Sequence, residues 1–166
     1  MMNNCEGILK IRGIRREPGQ HGQTESLPDD IHEQETGARF LRKDGNLHLF
    51  YREETGEGTF CRSRLSIKDK EVILRRTVPG AGSVPTVLHF REGEARVCDY
   101  PTVAGLMKLE TRTRSLLLTE SDHSLSLKME YSLFLHGERL SDHELTVDFS
   151  DYRFRRHERR GVPDDI

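Results

Sequence analysis

The chain contains no tryptophan, only three cysteines, and no apolar run approaching the length of a membrane span. Each shortage excludes something. Without about 18 consecutive apolar residues there is no candidate transmembrane helix. The start, Met1 to Glu6, is polar and unlike a signal peptide, so the expected location is cytoplasmic. Cys5, Cys61 and Cys98 are odd in number and far apart, which suits reduced thiols and not a disulfide framework. A formal charge of -2 leaves the chain as a whole no electrostatic drive toward nucleic acid or an anionic membrane.

Catalytic signatures are missing too. There is no Gly-x-Ser-x-Gly elbow, phosphate loop, His-Glu-x-x-His or Cys-x-x-Cys. Gly80-Ala81-Gly82 holds half a dinucleotide fingerprint between two strands with no helix after it, and so reads as a turn. Eight histidines are scattered along the chain, and only His136 and His143 could meet across a hairpin. Metal binding needs further ligands at fixed spacing, so neither a metal nor a cofactor is expected. Cys61 and Cys98 share strand faces with apolar neighbours and read as inert packing thiols.

What is abundant is alternation. In Leu125, Leu127, Met129, Tyr131, Leu133, Leu135 every second residue is large and apolar, with mostly polar residues between. A period of two predicts a long strand with one buried face. Shorter versions recur along the chain, separated by turn residues. The predicted strands are Gly7–Ile14, Ile31–Arg42, Leu47–Glu53, Thr59–Ile67 and Glu71–Val78, then Val84–Arg91, Glu94–Thr102, Leu106–Leu118, the long strand, and Leu140–Phe149. Asp44-Gly45-Asn46 is the clearest hairpin signal, because Gly accepts positive φ at little cost. About ten strands in consecutive hairpins make a meander, whose two edges are removed by closure. The expected fold is therefore all-β, a closed antiparallel meander barrel of about 8–10 strands. A sandwich would need longer crossovers than the chain offers.

One domain spans residues 1–149. Within it, Glu17 to Asp30 is rich in Pro, Gly and Ser and reads as a mobile surface loop or a binding lid. Residues 150–166 form a tail in which Arg153, Arg155, Arg156, Arg159 and Arg160 surround Tyr152, Phe154 and His157. Such a tail could grip RNA or an acidic partner weakly, or be a solvated, partly helical or frayed terminus.

A set of ordered motifs carries a family resemblance. Glu35-Thr36-Gly37 leads into a strand, Tyr51 and Glu53 precede a glycine turn, and Glu71-Val72-Ile73-Leu74-Arg75-Arg76 precedes another. His89-Phe90-Arg91-Glu92-Gly93 follows, then Tyr100-Pro101-Thr102, Gly105 and Leu109-Glu110-Thr111-Arg112-Thr113, and finally Leu127, Tyr131 and Leu133. In their order and spacing these resemble the YwiB-like family of small bacterial proteins, from about Ile8 to Phe149. The resemblance implies a calycin-like (lipocalin-like) β-barrel and no established activity. The Glu17–Asp30 loop and the arginine-rich tail depart from the pattern.

Alternation also suggests where a ligand could sit. Tyr100, Thr102, Thr111, Thr113, Met129 and Tyr131 are all expected to face the barrel interior. A mostly apolar lumen with a few directed hydroxyls suits a small, largely apolar molecule. A barrel of about eight strands can equally be filled by its own side chains, so both interiors stay open. The leading expectation is a non-enzymatic binding module. The alternative is an adaptor that holds a protein or RNA through its outer surface or its tail.

Overall fold

The structure, a computed structural model, describes residues 1–18, 30–56, 58–77 and 84–153. Most of the Glu17–Asp30 loop, the Gly80–Gly82 turn and the tail beyond Arg153 lie outside the described residues. Ten antiparallel strands follow one another: β1 Asn4–Arg16, β2 Asp30–Lys43, β3 Asn46–Gly56, β4 Thr59–Lys68 and β5 Glu71–Thr77. The second half comprises β6 Thr86–Arg91, β7 Ala95–Thr102, β8 Gly105–Glu120, β9 Ser124–Leu135 and β10 Glu138–Asp151. Among the described residues there is no helix long and apolar enough to cross a membrane.

The strands form one sheet in the order β6-β5-β4-β3-β2-β1-β10-β9-β8-β7, so the first and last strands pair in its middle. That junction runs from Gly7 opposite Asp151 to Arg16 opposite Asp142. The expected meander barrel is present, with one difference in how it shuts. β6 and β7 are short, six and eight residues, and share no ladder. Side chains bridge this seam instead: Thr111 Oγ1 donates to the His89 carbonyl, and the His89 amide donates to Cys98 Sγ at 3.3 Å. Beyond them, the Gly93 amide donates to the Thr113 carbonyl at 2.9 Å.

Alternation fills the inside. Leu9 and Ile11, Phe40, Leu49, Leu65 and Ile67, Val72, Leu127 and Met129, and Val147 and Phe149 are all buried in one cluster. A bulge between Thr113 and Ser115 re-phases β8, so that Leu116 and Leu118 also pack on this core. The hairpin at Asp44-Gly45 has both residues at positive φ, 52° and 78°, the twist a two-residue β-turn requires.

Because the strands run up and down, alternate turns lie at opposite ends of the barrel. One end carries both strand termini and is closed by hydrocarbon. Met2 is buried there, and Phe40 stacks on Phe149 with centroids 5.8 Å apart. Arg42 spans this end, donating to the Met2 carbonyl at 3.1 Å and pairing with Glu120. The other end, where β3 and β5 finish and β10 begins, is lined very differently.

Candidate functional site

The inward series of β3 runs Leu47, Leu49, Tyr51 and then Glu53, and that of β5 runs Val72, Leu74 and then Arg76. Each strand thus ends its buried face on a charge. The two charges meet: Arg76 Nε lies 3.0 Å from Glu53 Oε2, and Arg76 Nη2 donates to Oε1 at 3.4 Å. Only the Nη2 contact is a hydrogen bond; Nε is close to the carboxylate but finds no hydrogen-bond partner among the described residues, so the pair is an ion pair held by one bond. Cys61, buried opposite Glu53, directs its thiol to the same carboxylate at 3.7 Å.

Two phenols flank the pair. Burial, reinforced by the Glu53 carboxylate, holds the Tyr51 phenol above its ordinary range. Tyr131 is pushed up to about 12 by burial, which outweighs the opposing field of Arg76. Both therefore stay neutral hydroxyls at any ordinary pH. Burial would lower the Arg76 pKa, but the attraction of Glu53 prevails and raises it. Tyr131 itself is clasped by Phe90 at 4.6 Å and lies flat on His143 at 4.8 Å, the planes 3° apart. His143 Nε2 lies 2.7 Å from Ser141 Oγ.

His143 supplies a pH-dependent prediction. Burial first, and then the field of Arg15, lowers its pKa to about 4 from the ordinary 6.5. Between these values the unfolded chain binds a proton that the folded chain refuses. This stability is fully present above about pH 6.5 and is lost as pH falls toward 4, on the order of 2–3 kcal/mol in total. Thermal melts across that window should show His143→Gln losing less stability with acid than the parent. Parallel curves for the two proteins would sink the assignment.

The six residues expected from sequence are not one site. Met129 is in the hydrocarbon core, and Thr111 spends its hydroxyl on the seam. Thr102 is exposed and bonds the Gly105 carbonyl in its own turn at 2.6 Å, and Tyr100 is half-buried near that turn. Thr113 and Tyr131 do come together, directly opposite in register. Thr113 is 3% exposed, and its Oγ1 has no hydrogen-bond partner among the described residues. Glu53 and Arg76 figured in the sequence only as members of the resemblance motifs, and His143 only as a possible neighbour of His136; none was expected at the site. Their signal was available, since each continues an inward series with a polar residue where an apolar one is expected. No group of side chains able to hold a metal ion occurs among the described residues.

Comparison with known proteins agrees with this architecture. The crystal structure of the ywiB protein from Bacillus subtilis superposes with a TM-score of 0.66 at 18% identity, covering 88% of this chain and 92% of that one. At that identity the likeness speaks for the fold alone, and the barrel fits the calycin-like class. No curated protein matches the sequence. A family model matches residues 14–147, nearly the whole barrel, and the chain accordingly belongs to the family described as a domain of unknown function, DUF1934.

Proposed function

We propose that the Glu53–Arg76 end of the barrel binds a small, largely apolar molecule carrying an acidic head. The observation that supports this most is Arg76. It lies on an inward face beyond buried Val72 and Leu74, yet 42% of its side chain stays accessible. Its Nε is buried against Glu53, so the exposed part is the far side of the fork. A guanidinium has five donors, and Glu53 accepts from Nη2 of Arg76 while lying against Nε. The remaining donors suit a carboxylate or phosphate at this end, while the partly buried Leu133 and Leu145 offer apolar surface and Thr113, just beneath, has an unspent hydroxyl.

The test is a panel of fatty acids, isoprenoid acids and their neutral esters, read by native mass spectrometry and thermal shift. An acid at roughly a hundredfold over its Kd should stabilise the protein by about 2.7 kcal/mol, with its ester much weaker. Thr113→Val, which preserves volume, should weaken binding without unfolding the barrel. A panel that gives neither adduct nor shift defeats the reading.

A further inference from the structure

Charges on the outer wall are not evenly dealt. On the β1, β8 and β10 side, arginines have acidic partners: Arg12 with Glu33 at 3.1 Å, Arg16 with Glu144 at 3.0 Å and Arg114 with Asp142 at 3.7 Å. Across β3, β4 and β5 the pattern changes. Tyr51, Ser63 and Leu74 point inward and are buried, so their neighbours Arg52, Arg62, Arg64 and Arg75 stand outward. Among the described residues none of these four has a carboxylate partner.

Register makes this unfavourable for the fold by itself. Arg52 sits directly opposite Arg62, and Arg64 directly opposite Arg75. Like charges facing each other across adjacent strands are destabilising. The field is felt nearby: the His48 pKa is lowered by burial first and then by Arg64 and Lys43. Exposed Glu54 shares the outward side of β3 with Arg52, but among the described residues no carboxylate is paired with any of the four arginines, and such a face is complementary to a polyanion.

Aromatic residues narrow the class. Phe50 is 36% exposed and lies in a row between Arg39 on β2 and Arg64 on β4. Beside it runs a groove of about 470 Å³ lined by Gly37, Phe50, Tyr152 and the arginines 39, 52 and 62. Gly37 contributes no side chain, and a Cβ built there would stand 3.6 Å from the Tyr152 hydroxyl. Tyr152 is 43% exposed, so two accessible rings border one recess. An acidic peptide would satisfy the arginines but has no use for the rings. Single-stranded nucleic acid uses both, stacking bases on aromatics while cations follow the phosphates. Glu6 also lines the groove. A carboxylate repels phosphate but accepts a hydrogen bond from a ribose 2′-hydroxyl, the group that distinguishes RNA from DNA.

We infer that the outer face of β2 to β5, with Tyr152, is a binding surface for single-stranded RNA, with a base stacked at Phe50 and Tyr152 and phosphates on Arg52, Arg62, Arg64 and Arg75. It is separate from the Glu53–Arg76 end and does not depend on the lumen reading.

The experiment uses the full chain and a fluorescein-labelled oligouridylate of about 12 nucleotides, within the usual site sizes for such surfaces. Anisotropy titrations span about 50 to 200 mM salt. Binding should weaken steeply with salt, and Arg62→Ser with Arg64→Ser should flatten the slope by about 1.4, at about 0.7 per phosphate contact on a single strand. Phe50→Ala should weaken binding roughly tenfold to a hundredfold while leaving the slope unchanged. The arginine variants should melt no lower than the parent, because each relieves a like-charge pair; this separates lost contact from lost fold. The inference is overturned if the oligouridylate does not bind at low salt, or if the serine variants bind it as well as the parent, which would place binding elsewhere, such as the arginine-rich tail. Equal affinity for oligodeoxythymidylate, or binding of polyglutamate in place of RNA, overturns it as well.

Discussion

Gly7→Ala should unfold or severely destabilise this protein, by about 3 kcal/mol or more, although it adds a single methyl group to a strand. Gly7 faces inward in β1, opposite Asp151 at the junction where β1 meets β10. A Cβ built there runs into the Ser150 carbonyl, with a Phe149 ring atom at 2.8 Å and the Asp151 Cα at 2.9 Å. Two of these three obstacles are backbone of the neighbouring strand and cannot swing aside. The third is the ring that stacks on Phe40 and is itself fully buried. Relief would require parting the one ladder that joins the ends of the chain. Gly13, on the same strand, is the control, since a Cβ there meets nothing within 4 Å. Gly13→Ala should be neutral or stabilising by up to about 1 kcal/mol through the unfolded chain. Urea midpoints at constant slope decide the matter, and equal midpoints for the two variants would refute the account of the junction.

Removing one member of the Glu53–Arg76 pair should cost about 2–3 kcal/mol. Breaking a fully buried pair typically costs about 3–5 kcal/mol, and the figure is reduced here because Arg76 remains 42% accessible to screening water. Arg76→Met leaves the Glu53 carboxylate, 14% exposed, facing two neutral phenols and a thiol with no counter-charge. Glu53→Gln leaves a guanidinium that can turn toward solvent, so it should be the milder change. Glu53→Leu combined with Arg76→Met removes both charges and should recover most of the loss, because an apolar pair incurs no desolvation penalty. A double-mutant cycle by chemical denaturation measures the coupling. If the two single losses simply add, the pair is not coupled and the site has been misdrawn.

Much of the architecture was visible in the chain. The run Leu125 to Leu135 is β9 with its inward face as expected, and Asp44-Gly45 forms the hairpin turn that its residue types demand. Both are local properties: side chains alternate because the backbone is pleated, and a tight turn selects residues by their own φ. The candidate site was harder to read. Thr111 and Thr113 occupy equivalent inward positions two residues apart, yet one hydroxyl bonds across the seam and the other has no partner among the described residues. Only the missing ladder between β6 and β7 separates them. Glu53 and Arg76 entered the sequence reading only as members of separate motifs before turns, and nothing local marks them as partners.

Sequence alone was enough to establish the all-β class, the approximate number of strands and their meander order, and the inward side of the long strand Leu125–Leu135. Periodicity of two is imposed residue by residue and needs no knowledge of the neighbouring strand. Tertiary structure decided which strand ends lie together, and therefore that Glu53 meets Arg76, that Arg52 confronts Arg62, and that Gly7 must have no side chain. These are questions of cross-strand register and burial. A charge acquires its partner, its desolvation and its pKa only when the barrel closes around it.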